Sequence, residues 1–314
     1  MMELQCHLNL MIPVERTSSP IWDFTPKLKP PSSSPTPSAF LLCTNFKSSL
    51  IFKRGSFKCS CSKIENTQQV SSPPQGFSAL GADSPWDNAT AWSTLALYIF
   101  SLHIPLSFGG LSVVAHLLHQ PTLDPQTEAL SLLGAQFVEL IAAMLLLQIT
   151  AKPHYKFANS FKADKLSNQR NWLLASAVGF GSLFVLVFLT SFLADIFIGP
   201  KDINNPVLKE ILVRSNISKA ACVFVYCVTT PLLEETVYRG FLLGSISSTM
   251  KWQSAVFISS IIFSAAHFSG ENFLQLFIVG CVLGSSYCWT GNLRSSILIH
   301  SLYNAMTLMI TFLS

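Results

Sequence analysis

The chain has 314 residues, of which 50% are hydrophobic and only 11% are charged, and its mean hydropathy is +0.44. Because an average soluble domain carries about 25% charged residues, this composition excludes an ordinary soluble protein and indicates a membrane protein. The net charge of +4 gives no basic footprint for nucleic acid, so nucleic acid is excluded as a partner. The eight cysteines show no C-x-x-C spacing, and neither a disulfide framework nor a thiolate zinc site is predicted.

The N-terminus has the composition of an organellar targeting segment. Its first 60 residues contain ten serines and seven lysines and arginines, but only three acidic residues. A basic, serine-rich and acid-poor N-terminus is typical of a transit peptide, and the Pro/Ser run at 30–35 favours the chloroplast. We predict a disordered chloroplast transit peptide over 1–62, a polar linker over 63–88, and a location in the envelope or thylakoid membrane. The alternative is a disordered cytosolic tail.

From residue 89 onward the chain consists of successive apolar stretches. A membrane-spanning helix needs about 20 apolar residues, within a range of roughly 17–25. We count seven stretches, with six or eight helices as alternatives; the first is interrupted around Pro105, and the fifth and sixth are short. The stretches cover about 89–118, 128–149, 172–198, 218–245, 254–268, 273–289 and 295–313. The predicted fold is therefore an all-α, polytopic transmembrane helical bundle over 89–314.

Three charged residues are bunched inside the fourth apolar stretch: Glu234, Glu235 and Arg239. Each charge at the centre of a spanning helix costs about 2.5–3.5 kcal/mol, so this cluster calls for a reason. Glu235 and Arg239 are i,i+4 neighbours that can form an ion pair, whereas Glu234 points roughly 140° away from Arg239. That geometry makes Glu234 a candidate general base. The alternative is an interfacial Glu–Arg pair at a kinked helix end, with Glu234 solvated.

Two histidines lie on later apolar stretches. Phe263 and His267 share one helix face, and His300 and Asn304 share another. Taken singly, each histidine could be a satisfied core residue. Together with Glu234 they supply what hydrolysis needs, namely a proton acceptor for water, a group that orients the water or binds a metal, and donors for an oxyanion. No role is predicted for the histidines of the targeting segment, the interfaces and the loops: His7, His103, His116, His119 and His154.

Three motifs occur in a fixed order: Glu-Glu-x-x-x-Arg at 234–239, Phe-x-x-x-His at 263–267 and His-x-x-x-Asn at 300–304. In this order the chain resembles the CAAX protease and bacteriocin-processing (CPBP, or Abi) family, over residues 218–314. The resemblance implies a helical membrane fold with a catalytic site inside the bilayer. It further implies that Glu234 and His267 activate water, that His300 and Asn304 stabilise the oxyanion, and that Glu235 and Arg239 support the motif helix.

These observations predict an intramembrane endopeptidase that cleaves a membrane-associated peptide or protein with glutamate-activated water and no cofactor. Zinc held by Glu234, His267 and His300 is the alternative chemistry, although no His-Glu-x-x-His helix is present. The expected partners are the peptide substrate and membrane lipids, and nothing in the sequence indicates an oligomeric state. A plastid location argues against prenylated CAAX proteins as substrates, because those belong to the cytosolic face of the endomembranes.

Two other functions stay open at this stage. A non-proteolytic plastid assembly or scaffold factor could use the same polar pocket to bind another membrane protein. A transporter could relay protons through Glu139 and Glu234, but the sequence contains no internal repeat to support it.

Overall fold

The computed structural model describes residues 76–81, 84–153, 170–197, 199 and 205–313. Within these ranges the regular secondary structure is helical and no strand occurs, which confirms the predicted all-α class. The predicted transit peptide at 1–62 and residues 63–75 of the predicted linker lie outside the described residues.

The described residues form eight helices, here named α1 to α8 in chain order. Six of them are long and apolar enough to cross a membrane, which confirms a multi-pass membrane protein; the exceptions are the short apolar α6 and the nine-residue α4. The helices are α1 (Asn88–Leu117), α2 (Pro125–Thr150), α3 (Trp172–Phe197), α4 (Pro206–Arg214), α5 (Asn216–Ile246), α6 (Trp252–Ala266), α7 (Phe273–Thr290) and α8 (Leu293–Leu313).

Helix α1 differs from its prediction because it continues through Pro105 instead of breaking there. Its segment Ile99–Phe108 is π-helical, and Pro105 lies inside that segment. A proline in a regular α-helix clashes with the carbonyl of the preceding turn, and the wider π-helical turn relieves this clash. The proline therefore changes the form of the helix rather than ending it.

Two further differences concern shorter elements. The sixth apolar stretch was predicted to be short, but α7 has 18 residues and is long enough to span. Helix α4 was not predicted, because its mixture of charged and apolar residues has no membrane-spanning signature. It is amphipathic, begins after the capping residue Asn205, and buries one apolar face.

Helix α5 lies at the centre of the bundle and carries the charged cluster. In the most apolar 18-residue segment of α5, 67% of the residues are buried, whereas 22% are buried in the corresponding segments of α1 and α3. The outward face of α3 instead exposes large apolar side chains, including Phe184, Phe188, Phe192 and Phe197. The charges of α5 are thus screened from lipid by the other helices, which is the arrangement that makes charges tolerable in a membrane.

Helices α6 and α7 approach each other closely at a glycine. A Cβ atom added at Gly280 of α7 would lie 2.9 Å from Cβ and 3.0 Å from Cα of Ser260 on α6. These distances are well inside normal van der Waals contact, and the Ser260 backbone is not a flexible group that can turn away. The absence of a side chain at Gly280 therefore sets the spacing between these two helices.

We expect Gly280→Ala to lower the free energy of unfolding by about 1–3 kcal/mol, the usual cost of overpacking. The control is Gly134→Ala on α2, where nothing lies within 4 Å of the added Cβ. That change should be neutral or stabilising by up to about 1 kcal/mol, because alanine is the better helix former. Unfolding of the detergent-solubilised chain measures both, and equal stability of the two variants would contradict the close approach.

Candidate active site

The two glutamates of α5 lie at a junction between two forms of helix. Residues Thr230–Glu234 are α-helical and are flanked by π-helical stretches at Val225–Thr229 and Glu235–Leu243. Such stretches are rare and frequently occur at functional sites. Glu234 and Glu235 are only 3% and 0% exposed, so both carboxyl groups lie inside the bundle.

Glu235 joins Arg239 and His300. Its Oε1 accepts a hydrogen bond from Arg239 Nη1 at 2.9 Å and lies 2.9 Å from His300 Nδ1. The predicted i,i+4 ion pair is therefore present, and the structure adds a contact to His300 that the sequence did not predict. A carboxylate at Nδ1 fixes the orientation of the imidazole ring and turns Nε2 away from it.

The Arg239 guanidinium has two further partners inside the bundle. Its Nη2 donates to the Gly280 carbonyl oxygen at 3.3 Å, and its Cζ lies 4.3 Å from the centroid of the Phe263 ring. Arg239 is 1% exposed. These contacts join α5, α6 and α7 around one buried cation, so Arg239 has a structural role behind the site.

The Phe-x-x-x-His spacing fixes the tautomer of His267. His267 follows the last residue of α6, and its Nδ1 lies 2.7 Å from the carbonyl oxygen of Phe263. A carbonyl can only accept, so Nδ1 carries the hydrogen and, in the neutral ring, Nε2 presents a lone pair. The Phe263 ring also packs at 4.7 Å from the His267 ring and at 6.2 Å from the His300 ring.

The Glu234 carboxylate lies between the two histidines. Its Oε1 is 3.7 Å from His267 Nε2, and its Oε2 is 3.7 Å from His300 Nε2. An N–H···O bond is about 2.7–3.2 Å long, and polar groups separated by more than about 3.5 Å are commonly bridged by water. The structure thus brings three predicted catalytic side chains together from α5, α6 and α8, at a spacing suited to a bridging water.

Asn304 lies one turn beyond His300 on α8. Its Nδ2 donates to the backbone carbonyl of Tyr226 at 2.9 Å, which joins α8 to the first π-helical stretch of α5. An amide NH₂ has two hydrogens, so one hydrogen remains for another acceptor. The proposed part of Asn304 in stabilising an oxyanion stays a prediction.

The side chains of Glu234, His267 and His300 have the donor chemistry of a zinc site. Two ligands of one tetrahedral zinc ion lie about 3.4 Å apart, given metal–ligand distances of about 2.0–2.2 Å. The observed separations of 3.7 Å are longer. In the part of the chain that the structure describes, no group of three or more His, Cys, Asp and Glu side chains has the arrangement of a metal site. A site that works without a cofactor stays a prediction.

A second buried polar cluster surrounds Glu139 of α2, which is 0% exposed. Glu139 accepts hydrogen bonds from Tyr98 Oη at 2.8 Å and Ser107 Oγ at 2.7 Å, and it lies 2.9 Å from His103 Nδ1. His103, for which the sequence predicted no role, is 3% exposed and lies inside the bundle. The available signal was the helical spacing of polar residues inside apolar stretches, such as His103 with Ser107.

The site is closed to a peptide in this structure. Glu234, His267 and His300 are 3%, 7% and 5% exposed. An apolar cavity of about 540 Å³ opens between α3 and α7, but none of the predicted site residues lines it. A peptide bond therefore reaches Glu234 only when neighbouring helices move apart.

Comparison with known families gives a match to the site-bearing segment. The family described as "Type II CAAX prenyl endopeptidase Rce1-like" matches residues 216–306, which include all six predicted site residues. Residues 216–306 of the chain are thus similar to this CAAX protease family. The chain is also 25% identical over 183 residues to the membrane-embedded CAAX protease MroQ of Staphylococcus aureus (strain USA300), a match over 56% of this chain and 72% of MroQ. No solved structure matches the chain.

The CAAX protease match divides the described helices into two groups. Residues 216–306 contain α5, α6, α7 and most of α8, and therefore Glu234, His267, His300 and Asn304. Helices α1 to α4 lie outside it, and so does the cluster around Glu139, apart from its contacts with α5 and α6. The residues that hold the site thus extend beyond the segment that carries the family motifs.

Proposed function

We propose that this chain is an intramembrane endopeptidase in which Glu234 and His267 activate a water molecule. The observation that supports this most is the position of the Glu234 carboxylate, 3.7 Å from Nε2 of each of two histidines on separate helices. Glu234 can then act as the base, His267 can orient the water, and His300 can donate a hydrogen bond to the developing oxyanion, all within one buried site.

In the proposed reaction, Glu234 takes a proton from water while the water oxygen bonds to the carbonyl carbon of the peptide. His267, whose Nδ1–H is held by the Phe263 carbonyl, accepts a hydrogen bond from the same water at Nε2 and so orients it. When the C–N bond breaks, Glu234 returns the proton to the leaving amine nitrogen. No atom of the protein becomes covalently bound to the substrate.

The proposed oxyanion donors are His300 and Asn304. The Glu235 carboxylate at Nδ1 compensates a positive charge on His300, so that Nε2 can also carry a hydrogen and donate it. Asn304 contributes the amide hydrogen that Tyr226 does not use. Removing one preorganised donor of this kind typically costs about 2.7–4 kcal/mol of transition-state stabilisation.

The proposed mechanism contains no metal step, and a chelator tests this directly. We expect the rate of peptide hydrolysis to stay unchanged after preincubation with a chelator and to gain nothing from added Zn²⁺. A rate that disappears with the chelator and returns with Zn²⁺ would reassign Glu234, His267 and His300 as metal ligands.

We propose a membrane-associated peptide or protein of a plastid membrane as the substrate. The location follows from the basic, serine-rich composition of residues 1–62. A fusion of residues 1–62 to a fluorescent protein should enter plastids, whereas a cytosolic signal would remove the plastid part of the proposal.

The activity test uses the purified full chain in liposomes with fluorogenic peptides that contain an apolar segment. Cleavage by the wild-type chain supports the endopeptidase. A folded wild-type chain that cleaves none of these peptides would favour the second candidate.

The second candidate is a non-proteolytic membrane assembly factor, and the closed site favours it, because a pocket this buried could serve binding alone. Its test is rescue of a loss-of-function line by the double variant Glu234→Gln/His267→Ala. Full rescue supports the assembly factor, while failure of rescue at normal protein levels shows that the function requires Glu234 or His267.

A further inference from the structure

We propose that His103 and Glu139 form a buried clamp that positions His267 by holding the C-terminal turn of α6. The role in catalysis rests on the function proposed above, whereas the structural role does not. Both residues lie on helices outside the segment matched by the family, on α1 and α2.

The turn that carries His267 is held by its own helix only as far as the Ala265 carbonyl. Helix α6 ends at Ala266, directly before His267. The next residue, Phe268, has a φ of 49°, in the left-handed region that is strained for a residue with a side chain. The backbone N–H groups of His267 and Phe268 reach the Ser264 and Ala265 carbonyls at 3.4 Å and 3.0 Å. The Ala266 carbonyl is the next in line, and a carbonyl at a helix end is satisfied by groups from outside the helix.

Helix α1 contacts this turn with two side chains. His103 Nε2 lies 3.3 Å from the carbonyl oxygen of Ala266, the residue directly before His267. The Phe108 ring packs edge-on against the ring of Phe268, with centroids 5.1 Å apart. One polar and one apolar contact thus hold the residues on both sides of His267.

His103 is itself fixed by Glu139. The Glu139 carboxylate accepts hydrogen bonds from the hydroxyl groups of Tyr98 and Ser107, and it lies 2.9 Å from His103 Nδ1. Because the Ala266 carbonyl can only accept, Nε2 carries a hydrogen, and the Glu139 carboxyl group at Nδ1 fixes the orientation of the ring.

The same cluster extends to α5. Gln136 Nε2 donates to Ser107 Oγ at 3.2 Å, and Thr230 Oγ1 donates to Gln136 Oε1 at 3.5 Å. Thr230 lies one turn before Glu234. The clamp therefore contacts the helix of Glu234 as well as the turn of His267, and it can hold the two at a constant separation.

The test compares two double variants that both remove the buried contact between His103 and Glu139. His103→Gln/Glu139→Gln keeps an N–H donor at position 103 for the Ala266 carbonyl, whereas His103→Leu/Glu139→Gln does not. Two quantities are measured on the full chain: kcat and KM for peptide hydrolysis, and amide hydrogen exchange of residues 267 and 268.

For the leucine variant we expect faster exchange at 267 and 268 and a kcat at least ~10-fold below that of the glutamine variant, approaching the ~10²-fold cost of a 1 Å misplacement. KM should be similar in the two variants, because His103 does not contact the substrate. Equal exchange in the two variants overturns the clamp, and equal kcat despite unequal exchange overturns its part in catalysis. If the wild-type chain hydrolyses nothing, the proposed function fails, and the exchange comparison alone still decides the clamp.

Discussion

Replacing Glu234 with glutamine should lower kcat for peptide hydrolysis by ~10²–10⁴-fold, the usual contribution of a positioned general base. Glutamine has the same shape but takes no proton from water. The fold should remain intact, because glutamine fills the same volume as glutamate at this buried position. The measurement is steady-state hydrolysis by the purified variant in liposomes, together with its unfolding midpoint.

The matched control is Glu210→Gln, the same chemical change at an exposed position of α4. This variant should hydrolyse peptides like the wild type. A Glu234→Gln protein that is folded and retains wild-type kcat would show that Glu234 is not the base.

Replacing Arg239 with methionine should lower the free energy of unfolding by about 3–5 kcal/mol, the usual cost of removing one partner of a buried ion pair. Arg239 is 1% exposed, and its loss leaves the fully buried Glu235 with His300 as its remaining charged partner. It also removes the contacts to Gly280 and Phe263. Denaturant titration of the solubilised chain measures the change.

A double variant separates charge from packing. In Glu235→Gln/Arg239→Met no carboxylate is left without its guanidinium, so part of the lost stability should return. The control is Arg294→Met at an exposed position, where we expect little change. If Arg239→Met and Arg294→Met unfold at the same denaturant concentration, the buried ion pair does not stabilise the fold.

Much of the fold was predictable because a membrane imposes a simple rule of length and apolarity. The stretches 172–198 and 295–313 agree with α3 and α8 within two residues at each end. The rule does not predict a helix that is held by one buried apolar face, or the form that a helix takes around a proline. Helix α4 is amphipathic and too short to span, and α1 passes through Pro105 by becoming π-helical, which apolar length does not indicate.

The site was predictable to the extent that its chemistry lies in local motifs. The Glu235–Arg239 pair follows from helical spacing, and the structure contains it at 2.9 Å. The contact between Glu235 and His300 joins residues 65 positions apart, and no local spacing reveals it. The sequence offered Glu139 only as a proton relay and gave His103 no role, because their 2.9 Å contact joins two helices and depends on tertiary packing.

Endopeptidase activity is tested most directly by mass spectrometry of membrane peptides. The comparison is between membranes that contain the wild-type chain and membranes that contain Glu234→Gln at equal levels. An intramembrane endopeptidase should produce fragments with new C-termini that occur only with the wild type, and the uncut precursors should accumulate with the variant. Identical peptide populations in the two membranes, with both chains folded, would contradict the proposal that this protein is an intramembrane endopeptidase.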